Sequence, residues 1–345
     1  MSTKNRDYLF DNYKALLIFL VVIGHFVGPC NSNNAFFSTL KWIIVSFHMP
    51  AFIFISGYFS KRELPMSVLI KKLAVPYLVY EVVYYLFYTF VIHKKTGLYL
   101  LYPKFTLWYL LALFIWRAIT PLVKKIPYHM ALSIIAGLLI GCSTVKGNFI
   151  SISRVAVFYP FFLAGMYFNR EIITQLRNRK NQILAGVSVA LCALFVGFGP
   201  LTNIYTNKIF YGRYSYEALG QSPIEGILCR ILCYLIGFFF TFALMFLISE
   251  KQTFYSYIGP RTMSIYLFHG LTYQFLKSCT SILKNVDTIG ETALLLVFCA
   301  ALTALFSAPQ FTTFTSKISN LPLPDLSHLF RAPSYLYYPG SLTAF

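Results

Sequence analysis

Ten runs of apolar residues, each close to the length that crosses a bilayer as a helix, follow one another along this 345-residue chain. They lie near 13–30, 37–59, 68–92, 104–120, 128–143, 154–169, 182–200, 224–248, 262–278 and 290–309. About 20 apolar residues, rising about 1.5 Å each, cover the hydrocarbon core of a membrane. Inside that core each backbone N–H and C=O must be satisfied within the protein. The pattern therefore predicts an all-α fold: a polytopic transmembrane helical bundle of about ten helices. The fourth, fifth and ninth runs are short, so nine or eleven crossings also fit. Composition agrees, with 57% hydrophobic and 12% charged residues; a soluble domain carries about 25% charged. The 26 Tyr and 35 Phe suit the aromatic belts of a membrane protein.

The net charge of +18 raises the question of nucleic acid. A nucleic-acid surface gathers its charge on one face or stripe. Here the basic residues fall mainly in the gaps between apolar runs, so no nucleic-acid partner is expected and the lipid bilayer is. The richest gaps hold Lys4 and Arg6, Lys61 and Arg62, Lys71 and Lys72, Lys124 and Lys125, and Arg170 to Lys180. The alternate gaps hold fewer: Lys94, Lys95, Lys104, Lys146, Lys208, Arg213 and Lys284. By the positive-inside rule the N-terminus is cytoplasmic, and an even number of crossings puts the C-terminus there too. Lys94 and Lys95 run against this orientation. The first run lacks an A-x-A-like cleavage site and reads as a retained helix.

Residues 1–311 are expected to form the transmembrane domain. Residues 312–345, with Pro322, Pro324, Pro333 and Pro339, are expected to form an irregular cytoplasmic tail. The seven cysteines sit in or beside apolar runs without a CxxC, which suits packing; no metal site is expected. The segment 201–223 carries Tyr205, Tyr211, Tyr214 and Tyr216, which suit either interface anchoring or stacking on a sugar.

Ionisable groups inside a membrane are expensive, so each is a candidate site residue. Lys14 and His25 are eleven residues apart, three helical turns plus about 20°, and share a helix face. The rise between them is about 16 Å, from the cytoplasmic boundary to mid-bilayer. Asp11 can pair with Lys14 at i, i+3. Gly24 and Gly28 would let another helix approach this face. The second run brings His48, followed by Pro50 and then Ser56-Gly57-Tyr58. Neutral imidazoles at this depth can move a proton at ordinary pH. A purely structural hydrogen-bonding role fits His25 and His48 as well. Lys71 and Lys72 either fix topology or hold the phosphates of a nucleotide-bearing donor.

These residues resemble the membrane-bound acyltransferase 3 family, in particular its single-domain, fucose 4-O-acetylase-like members. Arg6-Asp7-Tyr8 through Lys14 to Gly24-His25 is similar to the family's basic-x10-His signature. Phe47-His48-Met49-Pro50 with Ser56-Gly57-Tyr58-Phe59 is similar to its second-helix motif. Lys71-Lys72 before Pro76-Tyr77, Leu107-Trp108-Tyr109-Leu110, and Arg154 with Phe158 to Gly165 resemble later ones. So do Ile258-Gly259, Ser264 to Leu267, and His269. The resemblance runs from about 6 to 310. Lys14 stands where relatives often carry Arg.

The resemblance implies an integral membrane enzyme of the plasma or inner membrane. Its expected reaction moves an acyl group, commonly acetyl, from cytoplasmic acyl-CoA to a sugar hydroxyl of a surface polysaccharide or glycolipid precursor. Acyl-CoA and a glycan acceptor are then its partners, with acetyl-CoA or another acyl-CoA as donor and no metal. Lys14, Lys71 and Lys72 would meet the donor phosphates, and Trp108 would line the donor tunnel. His25 would act as general base or carry the acyl group. Asp11 would hold Lys14. His48 would hydrogen-bond near the thioester or tune His25. Arg154, His269 and Ser56 would contact the acceptor. A transporter or flippase for a lipid-linked sugar or small metabolite is the alternative, because intramembrane His and broken helices serve transport too.

Overall fold

The computed structural model describes residues 6–30, 34–143 and 147–321. Lys4, Lys146 and the four tail prolines lie outside the described residues. Ten principal helices occupy the ten expected runs. They are α1 (Tyr8–Phe26), α2 (Ala35–Tyr58), α3 (Val75–Leu86), α4 (Trp108–Val123) and α5 (His129–Leu139). Then come α6 (Ile152–Tyr167), α7 (Arg179–Phe198), α8 (Pro223–Leu247), α9 (Thr262–Cys279) and α10 (Ile289–Phe306). No strand occurs among the described residues. The chain is a polytopic helical bundle.

Among the described residues, seven helical segments are long and apolar enough to cross a membrane: those built on α1, α2, α4, α6, α7, α8 and α10. The other three depart for visible reasons. The α5 segment, His129–Cys142, is short. Helix α9 carries His269, Gln274 and Lys277 within 18 residues. Helix α3 is continued by π turns at Ile70–Ala74 and Phe87–Val91, with Lys71 and Lys72 in the first and Glu81 between them. On α7, α8 and α10, Leu191, Leu235 and Leu294 point outward, exposed by 62%, 63% and 68%. Such leucines suit lipid, not water.

Two corrections follow. First, α1 starts at Tyr8 rather than near 13 and ends at Phe26. His25 therefore sits in its last turn, not half-way along it. The Asp7 carboxylate caps the helix by accepting from the Leu9 N–H at 3.1 Å, and Asp11, Asn12 and Lys14 all find partners, so these polar residues enter the first turns. Second, the expected irregular tail opens on an eleventh helix, α11 (Pro309–Ser319). Pro309 stands in its first turn, where a missing N–H costs nothing.

Helices α2 and α6 form the closest joint. A side chain at Gly57 would strike the Phe162 backbone, and one at Gly165 would strike the Phe54 backbone. Each glycine thus admits the other helix, as small residues do in membrane bundles. The start of α1 is clasped by the segment between α8 and α9. Asn12 donates to the Ser249 and Lys251 carbonyls at 2.8 and 2.9 Å and accepts from Thr253 and Ser256 at 2.9 and 2.5 Å. Gly259 lies against the Asp11 backbone with no room for a side chain. Arg170 joins the same end through Asp7 at 3.0 Å and Glu250 at 2.8 Å.

Candidate active site

Alternation of the helices brings the end of α1, the starts of α2, α4 and α6, and the end of α9 to one end of the bundle. His25 from α1 lies there. Its ring centroid is 5.4 Å from that of His269 on α9, 4.8 Å from Phe105 and 5.8 Å from Tyr273. Phe105 and Tyr273 stack on each other at 5.1 Å and 15°. The imidazole thus sits between aromatic walls. His25 keeps accessible surface, and neither of its ring nitrogens hydrogen-bonds to another described residue. His269 is sealed.

The tautomers of two histidines follow from their neighbours. The Nδ1 of His269 lies 2.9 Å from the Ile265 carbonyl, and that of His48 lies 2.7 Å from the Ile44 carbonyl. A carbonyl only accepts, so Nδ1–H donates in both and each Nε2 carries a lone pair. The Nε2 of His269 is buried without a hydrogen-bond partner among the described residues. His48 is within electrostatic reach of His25 but makes no ring contact with it.

Lys41, which the sequence reading passed over, completes this group. It is buried in α2, and its ammonium donates to the Gly24 carbonyl. A β-carbon on Gly28 would lie 3.6 Å from the Lys41 nitrogen, and one on Gly24 would press on Ile44. The two glycines of α1 make room for the lysine and its helix. Lys41 stands seven residues before His48, two turns along the same face. It lies inside an apolar run, and that was the available signal. Phe105 and Tyr273 carried no such signal, because aromatic residues are abundant throughout the chain.

Arg154, at the start of α6, lies 4.6 Å over the Trp108 ring and donates to the Tyr211 carbonyl at 3.4 Å. Ser56 shares a hydrogen bond of 2.5 Å with the Tyr109 hydroxyl, and the Tyr109 ring reaches Tyr266 at 5.6 Å. Of the tyrosines in the 201–223 segment, Tyr216 is structural. It is buried and donates to the Leu138 carbonyl at 2.6 Å. Tyr211 and Tyr214 lie beside Arg154 and Arg213.

Ser56 stands in the last turn of α2, towards the other end, where the remaining candidates lie. Lys14 pairs with Asp11 at 3.0 Å and rests 5.0 Å over the Phe59 ring. Arg6 binds the other oxygen of Asp11 at 2.5 Å. Asp11 is fourteen residues from His25, about 21 Å along the helix, so it acts on Lys14 and not on the imidazole. Lys71 and Lys72 pair with no carboxylate among the described residues. Their π turn packs on α4 and α11, whereas Lys14 packs at the end of α2.

The family model Acyl_transf_3, described as an acyltransferase domain, matches residues 7–308. The chain belongs to the acyltransferase 3 family. The acyltransferase 3 match covers α1 to α10 and stops just before α11. The family is described as an acyltransferase domain, and the matched region holds the helices long and apolar enough to cross a membrane. A curated relative, the nodulation protein NolL of Sinorhizobium fredii (strain NBRC 101917 / NGR234), is 42% identical over 62 residues. That stretch is 17% of this chain and 17% of the relative. No solved structure matches the chain.

Proposed function

We propose that this protein is a plasma-membrane O-acyltransferase, with both termini cytoplasmic, that moves an acetyl group from acetyl-CoA to a sugar hydroxyl of a surface polysaccharide or glycolipid precursor. One observation carries the reading. His25 stands unbonded and accessible beside His269 at one end of the bundle, while Lys14, on the same helix, lies about 16 Å away towards the other end. That separation suits a donor whose phosphates lie at one end of a long arm and whose thioester lies at the other.

In this reading Lys14, Lys71 and Lys72 meet the donor phosphates, with Asp11 and Arg6 fixing the first. Trp108 lines the path of the arm. His25 takes the proton of the acceptor hydroxyl as that oxygen bonds to the thioester carbonyl carbon. The carbon–sulfur bond then breaks, and the coenzyme thiolate leaves and takes up the proton. His48 and the Nε2 of His269 are acceptors that orient the hydroxyl or the His25 ring. Arg154 contacts the acceptor, while Ser56, in the last turn of α2, is too far towards the Lys14 end to share that contact. Lys41 places a positive charge beside the tetrahedral oxyanion.

Purified protein with labelled acetyl-CoA and a glycan extract of the native envelope tests the reading. Label enters glycan with wild type, and His25→Ala reduces the rate by about 10²–10⁴-fold. Full activity in His25→Ala would remove the imidazole from the mechanism. Wild-type protein that moves a lipid-linked sugar across vesicles without transferring label would replace the enzyme with a transporter.

A further inference from the structure

The end of the bundle that holds His25 is cationic, and four of its cations lack carboxylate partners among the described residues. Lys41 is buried and Arg154 half-buried, and both are within electrostatic reach of His25. Arg213 is within reach of Arg154, and Lys277 of Lys41. Each rests on a ring or a carbonyl. Arg154 lies on Trp108, Lys277 lies 5.7 Å over Tyr273, Arg213 lies 5.6 Å over Tyr214, and Lys41 binds the Gly24 carbonyl. None of the four pairs with a carboxylate among the described residues. At the opposite end Arg6, Lys14, Lys124, Arg170 and Arg177 do, whereas Lys71 and Lys72 do not. The one ion pair near His25 among the described residues is Lys104 with Glu81, which satisfies itself at 3.2 Å.

Taking a cation out of water without an opposite charge is strongly unfavourable, and neighbouring cations repel. A negative charge that arrives with a ligand would relieve both. The donor is poorly placed to bring it. In a coenzyme A thioester the phosphates and the acyl carbon are at opposite ends of the pantetheine arm. With the acyl carbon beside His25, the phosphates lie away from these four residues. Arg154 and Arg213 offer planar forks that match a carboxylate or a phosphate.

We propose that the acceptor is an acidic glycan, and that Lys41, Arg154, Arg213 and Lys277 hold its carboxylate or phosphate while its hydroxyl faces His25. This rests on the O-acyltransferase reading above. Lys277 is exposed and Arg213 half-buried, so these two meet the incoming charge first, and Arg154 and Lys41 receive it deeper. Such a graded set of cations raises the local concentration of an anionic substrate.

The test uses the full chain in detergent with acetyl-CoA and three soluble acceptors: a hexuronate oligosaccharide, its carboxyl-reduced neutral form, and a phosphate-bearing oligosaccharide. One of the two anionic acceptors is acylated with kcat/KM about tenfold or more above the neutral form. Which one it is distinguishes carboxylate from phosphate. The advantage shrinks as sodium chloride is raised. Arg213→Gln and Lys277→Gln each raise KM for the anionic acceptor by about threefold or more, and leave KM for the neutral one unchanged. Equal use of the neutral form overturns the inference and leaves the acyl-transfer reading standing. If no acceptor is acylated, the acyl-transfer reading fails, and binding then decides the inference. A rise in unfolding temperature with an anionic glycan but not with its neutral form upholds it. The same rise with sodium sulfate means an adventitious ion only and overturns it.

Discussion

The aromatic wall against His25 depends on a buried ion pair, and breaking that pair should loosen it. Glu81 in α3 is fully buried, and its Oε2 lies 3.2 Å from the Lys104 ammonium, whose side chain is 7% exposed. Its Oε1 accepts from the Lys104 backbone N–H at 2.7 Å. The next residue, Phe105, holds a left-handed backbone with φ of 47°, and its ring packs on His25. The pair therefore pins the turn that aims Phe105. Glu81→Gln keeps an oxygen for the backbone N–H but leaves the ammonium unpaired. Removing one partner of a buried pair costs about 3–5 kcal/mol. An unfolding entropy of about 2.1 cal/mol/K per residue makes each kcal/mol worth about 1.4 °C for a chain this long. The unfolding temperature of Glu81→Gln in detergent should therefore fall by about 4–7 °C. Glu81→Gln with Lys104→Met removes both charges and should recover most of that loss. If Glu81→Gln unfolds at the wild-type temperature, or the double variant is no better than the single, the pair does not pin this turn.

Three further outcomes are expected. Lys14→Ala should raise KM for acyl-CoA by about fivefold or more with a smaller change in kcat, since a phosphate contact is lost and the reacting end is untouched; initial rates against acyl-CoA concentration check it. Gly165→Val should destabilise by about 1–3 kcal/mol or more, because its side chain meets the Phe54 backbone and neither helix can yield; yield and unfolding temperature check it. Asn12→Ala removes four hydrogen bonds at a buried position and should cost about 2–4 kcal/mol, with the segment from Ser249 to Ser256 becoming the first to exchange amide hydrogens.

The helices were legible in the sequence because apolar length alone sets them. Every expected run is helical, and the errors lie at the ends. Helix α1 was started late because Asp11, Asn12 and Lys14 read as boundary residues, although each is satisfied by a tertiary partner that the sequence cannot show. Pairwise meetings within one helix were legible too, such as Asp11 with Lys14. Meetings between helices were not: nothing in the spacing brings His269 to His25 or sets Arg154 on Trp108. Lys41 was missable for a different reason. It lies near the start of its run, where a lysine looks like a boundary marker, and only the carbonyl of Gly24 shows that it turns inward. Glu81 and Arg230 were passed over in the same way, as single charges in long apolar stretches.

Where the partners lie separates what holds this protein together from what it works with. At the Lys14 end, acids meet bases and Asn12 closes the loop between α8 and α9, so the helices are tied by groups that satisfy one another. At the His25 end, polar groups are buried with their capacity unused. Among the described residues, His25 has two unbonded ring nitrogens, the Nε2 of His269 has no hydrogen-bond partner, and Lys41 and Arg154 have no carboxylate. A bundle gains no stability from such groups, since unpaired polar atoms away from water oppose folding. They are retained at one place, beside each other, between aromatic faces. Groups that weaken the fold and converge on one accessible imidazole are explained by a ligand that completes them. Replacing Lys41 by Met should therefore raise the unfolding temperature of the unliganded protein while it lowers acyl transfer. A fall in both would make Lys41 a structural residue instead.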